Sequence, residues 1–122
     1  NPTMTDKVVC QPSSGNLFES LPKQQAEEEF ETLFNHPNVR IERIVSTGQC
    51  SAPGLWYDQS HAEWVLLMQG QAELQFENES NPTKLSAGDY IYINAHRRHR
   101  VVFTQADPPT VWLAVHVDQP RR

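Results

Sequence analysis

The spacing of apolar residues changes once along the chain, at about residue 38. Before that point four apolar residues recur at offsets of four, seven and eight, as in the stripe of an amphipathic helix. These residues are Ala26, Phe30, Leu33 and Phe34. Ser20 is a suitable N-cap. The pattern predicts one helix over Leu21–Asn35, preceded by a mobile N-terminal segment over residues 1–20.

From residue 39 onward, apolar and polar residues alternate with a period of two, which is typical of half-buried strands. Gly70 lies between two such runs and predicts a hairpin. The predicted strands lie at 39–47, 65–68, 72–76, 90–93, 101–103 and 111–117, with a short one at Leu85. Short strands separated by turn residues predict an all-β sandwich or barrel over residues 39–117, with the helix outside it or at its end. We expect one domain over residues 1–122.

Charge and composition exclude several classes of function. The sequence has ten Lys and Arg and fifteen Asp and Glu, which gives a net charge of −5. The short basic run 97–100 has only three arginines. A nucleic-acid binder is therefore not expected. The longest mainly apolar run, Trp64–Met68, is far shorter than a membrane span, and no basic-then-apolar signal segment opens the sequence. The two cysteines, Cys10 and Cys50, form no disulfide framework. These observations predict a cytoplasmic protein without a membrane or nucleic-acid partner.

Polar side chains with metal-ligand chemistry precede one predicted strand. In an extended chain Gln59, His61 and Glu63 share one face, and Val65 and Leu67 continue that face into the core. The polar trio then lies at the mouth of an apolar interior, where imidazole and carboxylate suit Zn, Ni, Fe or Mn. The alternative is that His61 and Glu63 lie on a loop before the strand and face water.

A second histidine cluster, at residues 96–100, leads into another strand. His99, Val101 and Phe103 share what should be the inner face, whereas a plain charged loop is the alternative. His116 shares a strand face with Trp112 and is interpreted as a structural histidine rather than a ligand.

Two segments resemble the motifs of the cupin family. Glu63 to Gly70 (EWVLLMQG) resembles the end of the first cupin motif, and Gly88 to His99 (GDYIYINAHRRH) resembles the second. The resemblance covers Gly54–Val117 and implies a double-stranded β-helix, or jelly-roll barrel, with Glu63 and His99 on metal-ligand positions.

The sequence departs from those motifs at other ligand positions. Tyr57 and Gln59 stand where the first motif has its two histidines, Asn94 replaces the proline of the second motif, and His96 replaces its second glycine. One hypothesis is a rearranged divalent-metal site made of His61, Glu63, His96 and His99, with Gln59 as a further candidate. The other is a barrel that has lost its metal and binds a ligand through polar side chains alone.

The function expected from these features is the binding of a small molecule inside the barrel. The predicted pocket is lined by Tyr57, Gln59, Val65, Leu67, Val101 and Phe103. With a metal, the cupin resemblance implies an oxygenase or an isomerase; without one, it implies a binding or sensing module that catalyses no reaction. We also expect a homodimer, because an exposed strand such as Val39–Thr47 can add to a neighbour's sheet edge. The sequence names neither the ligand nor the reaction.

Overall fold

All regular secondary structure in the computed structural model, which describes residues 13–118, is β-strand. In chain order the strands are β1 (Glu29–His36), β2 (Val39–Ser46), β3 (Ala62–Gln69), β4 (Gln71–Phe76), β5 (Thr83–Ser86), β6 (Tyr90–Ile93), β7 (His99–Thr104) and β8 (Thr110–Val117). The all-β prediction is confirmed. Among these residues no helix is long and apolar enough to span a membrane.

The strands form two antiparallel sheets. The larger sheet has the order β1-β2-β8-β3-β6 and the smaller has the order β5-β4-β7. Buried apolar side chains from both sheets form one core, which is the arrangement of a β-sandwich. The core residues are Val65, Leu67, Ala72, Leu74, Phe76, Leu85, Ile93 and Trp112.

Gly70 makes the predicted turn between β3 and β4, and only glycine suits its position. Its φ is +88°, in the left-handed region that residues with a Cβ atom rarely adopt. A Cβ atom at Gly70 would also lie 2.9 Å from the Cα atom and 2.8 Å from the Oγ1 atom of Thr110. The hairpin therefore depends on this glycine for both its backbone conformation and its packing.

The predicted helix over Leu21–Asn35 is wrong. Residues 21–28 are not helical, and β1 pairs with β2 from Glu29 opposite Val45 to His36 opposite Val39. An isolated helix of this length is marginal unless its apolar face packs against the protein, so a neighbouring strand that satisfies the backbone hydrogen bonds decides the conformation. The three aromatic and aliphatic residues of the helical stripe that lie on β1, Phe30, Leu33 and Phe34, remain exposed there.

The end of the N-terminal segment is held against the sheet. The Nη1 atom of Arg43, on β2, donates hydrogen bonds to the carbonyl oxygens of Leu17 and Glu19 at 3.2 and 2.6 Å. Residues 1–12, the larger part of the predicted mobile segment, lie outside the described residues. The mobility predicted for residues 1–20 therefore stays a prediction.

Candidate functional site

A histidine and a glutamate from opposite sheets meet inside the sandwich. Glu63 lies on β3 and His99 begins β7; their side chains are only 10% and 7% exposed, and Oε1 of Glu63 is 3.5 Å from Nε2 of His99. The other ring nitrogen, Nδ1, lies 2.8 Å from the carbonyl oxygen of Arg97, so Nδ1 donates its proton there. Nε2 is therefore the atom that faces the glutamate and the interior.

The electrostatics of this pair favour a protonated imidazole. Burial lowers the pKa of His99, but the carboxylate of Glu63 and the carbonyl of Arg97 raise it by more, so the net pKa lies above the ordinary 6.5. The surroundings of His99 therefore favour the protonated form of its imidazole, which faces Glu63 in a nearly buried environment.

The backbone before β3 fixes the mouth of this interior. The Tyr57 N–H donates to the His99 carbonyl at 2.7 Å, and the His99 N–H donates back to Tyr57 at 3.2 Å. The His96 N–H similarly donates to the carbonyl of Gln59 at 2.7 Å. These bonds place Tyr57 and Gln59 on the pocket wall, close to His99.

A second buried imidazole–carboxylate pair lies next to the first. Nε2 of His116, on β8, donates to Oε1 of Glu42, on β2, at 2.7 Å, and both side chains are nearly buried. Nδ1 of His116 lies 2.9 Å from Nε2 of His61 and 3.6 Å from Oε2 of Glu63. Burial and the neighbouring imidazole of His116 lower the pKa of His61. His116 therefore connects His61, Glu42 and Glu63 in one polar network, consistent with a structural role.

A third carboxylate reaches the interior through a short hydrogen-bond chain. The indole N–H of Trp112 donates to Oγ of Ser46 at 3.1 Å, and the Ser46 hydroxyl donates to the carboxylate of Glu28. Because Trp112 is part of the core, this chain fixes Glu28 at the edge of the pocket.

These groups surround a pocket of about 140 Å³. Its polar wall consists of three glutamates, two histidines, a tyrosine and a glutamine, and the rest of the wall is apolar. The polar residues are Glu28, Glu42, Glu63, His99, His116, Tyr57 and Gln59. Glu28, Glu42 and His116 were not predicted as site residues, because long-range contacts bring them to the pocket. The pairing of β8 with both β2 and β3 places Glu42 and His116 near Glu63, and Ser46 holds Glu28. One signal was available: Glu42 lies two positions before Ile44, and residues two apart on a strand share one face.

Not all predicted lining residues reach the pocket. Val65 and Val101 are in its wall, as are Tyr57 and Gln59, whereas Leu67 is fully buried in the core beside it. Phe103 is 44% exposed. A β-bulge explains this difference, because the pairing of β7 with β4 skips one residue and puts Phe103 opposite Glu73 on the outer face.

The structure brings only two of the four predicted metal ligands together, Glu63 and His99. His61 contacts the site only through His116, and the side chain of His96 is 69% exposed and bonded to Asp58 at 2.9 Å. The φ of His96 is +64°, which fits the glycine that this position has in the second motif and turns the side chain outward. Within residues 13–118 no three His, Cys, Asp or Glu side chains are placed to hold an ion together.

The donor set as arranged does not fit a divalent ion. Both nitrogens of His116 are engaged, one by Glu42 and one by His61, so His116 cannot complete a site around Glu63 and His99 without breaking those bonds. Tyr57 and Gln59, at the remaining ligand positions, provide weaker metal donors than imidazole.

Comparisons with known proteins agree on one family. Residues 42–116 match the family described as "Cupin domain". The chain is similar to a "putative mannose-6-phosphate isomerase" from Ralstonia eutropha JMP134, with 44% identity and a TM-score of 0.86 over 88% of this chain and 100% of that one.

More distant structures show the fold alone. The protein TT1209 from Thermus thermophilus is 14% identical, with a TM-score of 0.71 over 89% of this chain and 100% of that one. A cupin superfamily protein from Desulfitobacterium hafniense DCB-2 is 15% identical, with a TM-score of 0.67 over 81% of this chain and 84% of that one. No curated protein matches the chain.

Proposed function

The chain belongs to the cupin family, and on that basis we propose that its interior pocket binds a small molecule and that Glu63 and His99 exchange protons with it. The observation that carries this proposal is the pair itself: a carboxylate and an imidazole 3.5 Å apart, nearly buried, on the wall of a pocket. Such groups are the usual donors and acceptors of general acid–base catalysis.

The geometry assigns a task to each member of the pair. Nδ1 of His99 is occupied by a backbone carbonyl, so its proton exchange with a ligand takes place at Nε2. Glu63 faces Nε2 of His99 and offers carboxylate oxygens to a hydroxyl group of the ligand. A base and an acid on one wall suit reactions that move a proton between neighbouring atoms, which are isomerisations.

The printed name of the Ralstonia protein is that of an isomerase, which supports the same class of reaction. We propose the class and not that protein's substrate. The predicted divalent ion (Zn, Ni, Fe or Mn) stays a prediction, and no step of the proposal depends on it.

The test follows deuterium uptake from heavy water at the carbon beside a carbonyl, by proton NMR. Glyceraldehyde and dihydroxyacetone are suitable probes because each has six non-hydrogen atoms, a size that suits the pocket. We expect the protein to accelerate exchange, and His99→Gln to slow it by about 100-fold or more, the usual contribution of one acid–base group. The matched control is His96→Gln, because this histidine is exposed and also faces a carboxylate; it should keep full activity.

Three results would contradict the proposal. Equal rates for His99→Gln and the unaltered protein would remove His99 from the chemistry. Shifts of the His99 signals on ligand addition without any exchange would leave a binding module that catalyses no reaction. Near-stoichiometric bound metal whose removal abolishes exchange would favour the metal-dependent alternative.

A further inference from the structure

The wall of the pocket carries an excess of negative charge. Three of its residues are glutamates and two are histidines, and among the described residues no lysine or arginine lines it. With ionised carboxylates, the wall carries between −3 and −1 charges, depending on the protonation of the two imidazoles. Arg40, 44% exposed, reaches Glu42 at 4.0 Å from outside, and even when Arg40 is counted the total is never positive.

The other arginines of the described chain are engaged away from the pocket. Arg43 bonds to Glu29 and to the N-terminal segment. Arg97 and Arg98 pair with Glu79 and Glu77 at 3.1 and 2.9 Å. Arg100 donates to the carbonyl oxygen of Ser51. None of these cations is available to bind an anion inside the sandwich.

The carboxylate of Glu63 also has unused capacity to accept hydrogen bonds. Its nearest partners are the ring nitrogens of His99 and His116 at 3.5 and 3.6 Å, which are longer than an ordinary hydrogen bond of about 2.7–3.2 Å. Gln59 adds an amide group to the same wall. A ligand that satisfies this wall must bring hydroxyl or amino protons.

The volume limits the part of a ligand that the pocket can enclose. The pocket holds about 140 Å³, and a protein cavity of about 150 Å³ takes up one benzene molecule, which has six non-hydrogen atoms. A hexose phosphate is more than twice that size.

We infer that the pocket selects small hydroxyl- or amino-bearing molecules without negative charge and excludes phosphate esters. The inference rests on the proposed function, because it specifies the ligand of the same site. It also separates this chain from the substrate in the Ralstonia protein's printed name. A phosphate dianion would meet three carboxylates and, among the described residues of the wall, no lysine or arginine.

The electrostatic potential at the pocket can be measured without any ligand. Two paramagnetic nitroxides of opposite charge, cationic 3-aminomethyl-PROXYL and anionic 3-carboxy-PROXYL, are added in turn. Each nitroxide enhances the NMR relaxation of nearby protons, and this enhancement is measured at the side-chain amide protons of Gln59. Gln71, exposed on β4 and outside the pocket wall, reports the background set by the net charge of the whole protein. A local potential of about −1 kT/e makes the cation about seven times more concentrated than the anion.

We expect the cation-to-anion ratio to be several-fold higher at Gln59 than at Gln71. Glu28→Gln should lower the cation-to-anion ratio at Gln59. The matched control is Glu27→Gln, which removes the same charge from an exposed neighbouring residue outside the pocket wall and should change the ratio less. Equal ratios at the two glutamines, or an excess of the anion at Gln59, would overturn the inference.

A second titration distinguishes this inference from the proposed function. The probes are glycerol, 3-amino-1,2-propanediol and glycerol 3-phosphate, followed by the NMR signals of His99 and Tyr57. We expect the first two to bind at least about tenfold more tightly than the phosphate ester; tightest binding of the phosphate would overturn the inference. A negative potential at Gln59 with no binding of any probe would support the charge inference and count against the proposed function.

Discussion

The strength of the buried Glu63–His99 pair is open to a direct measurement. The proposed perturbation is a double-mutant cycle with Glu63→Gln, His99→Gln and the double variant. Two unit charges 3.5 Å apart attract by about 5 kcal/mol at an effective dielectric constant of about 20. Desolvation of both groups offsets a large part of that attraction, and coupled neighbours usually retain about 0.5–3 kcal/mol. We expect a coupling free energy of about 1–3 kcal/mol at pH 5.5.

The pH dependence of the coupling has a definite sign. Burial lowers the pKa of His99, but Glu63 and the Arg97 carbonyl raise it by more, so the net pKa is raised in the folded protein. A raised histidine pKa stabilises the fold fully below the unfolded value of about 6.5, and this stabilisation is lost as the pH rises through the folded pKa. The coupling should therefore be much smaller at pH 9 than at pH 5.5.

The chain provides its own control for this experiment. His96 and Asp58 form an equivalent pair at the shorter distance of 2.9 Å, but their side chains are 69% and 47% exposed. Exposed ion pairs contribute about 0–1 kcal/mol, because water screens them. Urea unfolding followed by circular dichroism gives both couplings from the shifts in midpoint. If the exposed pair couples as strongly as the buried one, or the buried coupling is equal at pH 5.5 and pH 9, the reasoning from burial is refuted.

Three further predictions concern stability and assembly. Gly70→Ala should destabilise the fold by about 1–3 kcal/mol, because of its positive φ and the contact with Thr110; an unchanged urea midpoint would contradict this. Leu67→Ala should cost about 2–5 kcal/mol in the same assay, since Leu67 is fully buried, and a loss below 1 kcal/mol would show that the core relaxes around it. β2, which covers most of the strand expected to pair with a second copy, lies inside the sheet between β1 and β8. We propose that two copies pair instead along the edge of β1, which no other described strand occupies and where Leu33 and Phe34 are 46% and 49% exposed. Analytical ultracentrifugation should then show a dimer that Leu33→Glu with Phe34→Glu converts to monomer, and a monomeric unaltered protein would reject the pairing.

The β-strands could be predicted from the sequence because their signals are local. Alternation and turn residues located both strands of the hairpin around Gly70, and the backbone conformation of that glycine bears out the turn. The segment that became β1 carried a helical stripe and several glutamates that favour helices. Its conformation is decided by hydrogen bonds to β2, a partner that a periodicity count within the segment does not include.

The candidate site, like the fold, could be predicted from the sequence only in part. Glu63 and His99 were located by motif spacing, and the structure brings them within 3.5 Å of each other. His96 matched a ligand type by composition, but its backbone occupies a glycine position and directs the ring outward. Glu42 and His116 lie 74 positions apart, and only the register of β2 against β8 brings them together. No local sequence pattern predicts a contact between residues so far apart in the chain.

The pocket differs from the cupin motif in two ways: two motif positions are substituted, and a second buried pair, Glu42 and His116, lies on its wall. Tyr57 and Gln59 remove two imidazoles from the ligand positions, while His116 and Glu42 add one imidazole and one carboxylate on strands outside both motifs. The added imidazole is held by hydrogen bonds at both nitrogens, so it stabilises the pocket and is not free to bind. Nε2 of His99 and the oxygens of Glu63 remain able to bind a ligand, on a wall that has no lysine or arginine among the described residues. Glu63 and His99 occupy motif positions, whereas Glu28, Glu42 and His116 are hydrogen-bonded to other protein groups. We therefore propose that a small donor-bearing ligand acts directly on the Glu63–His99 pair.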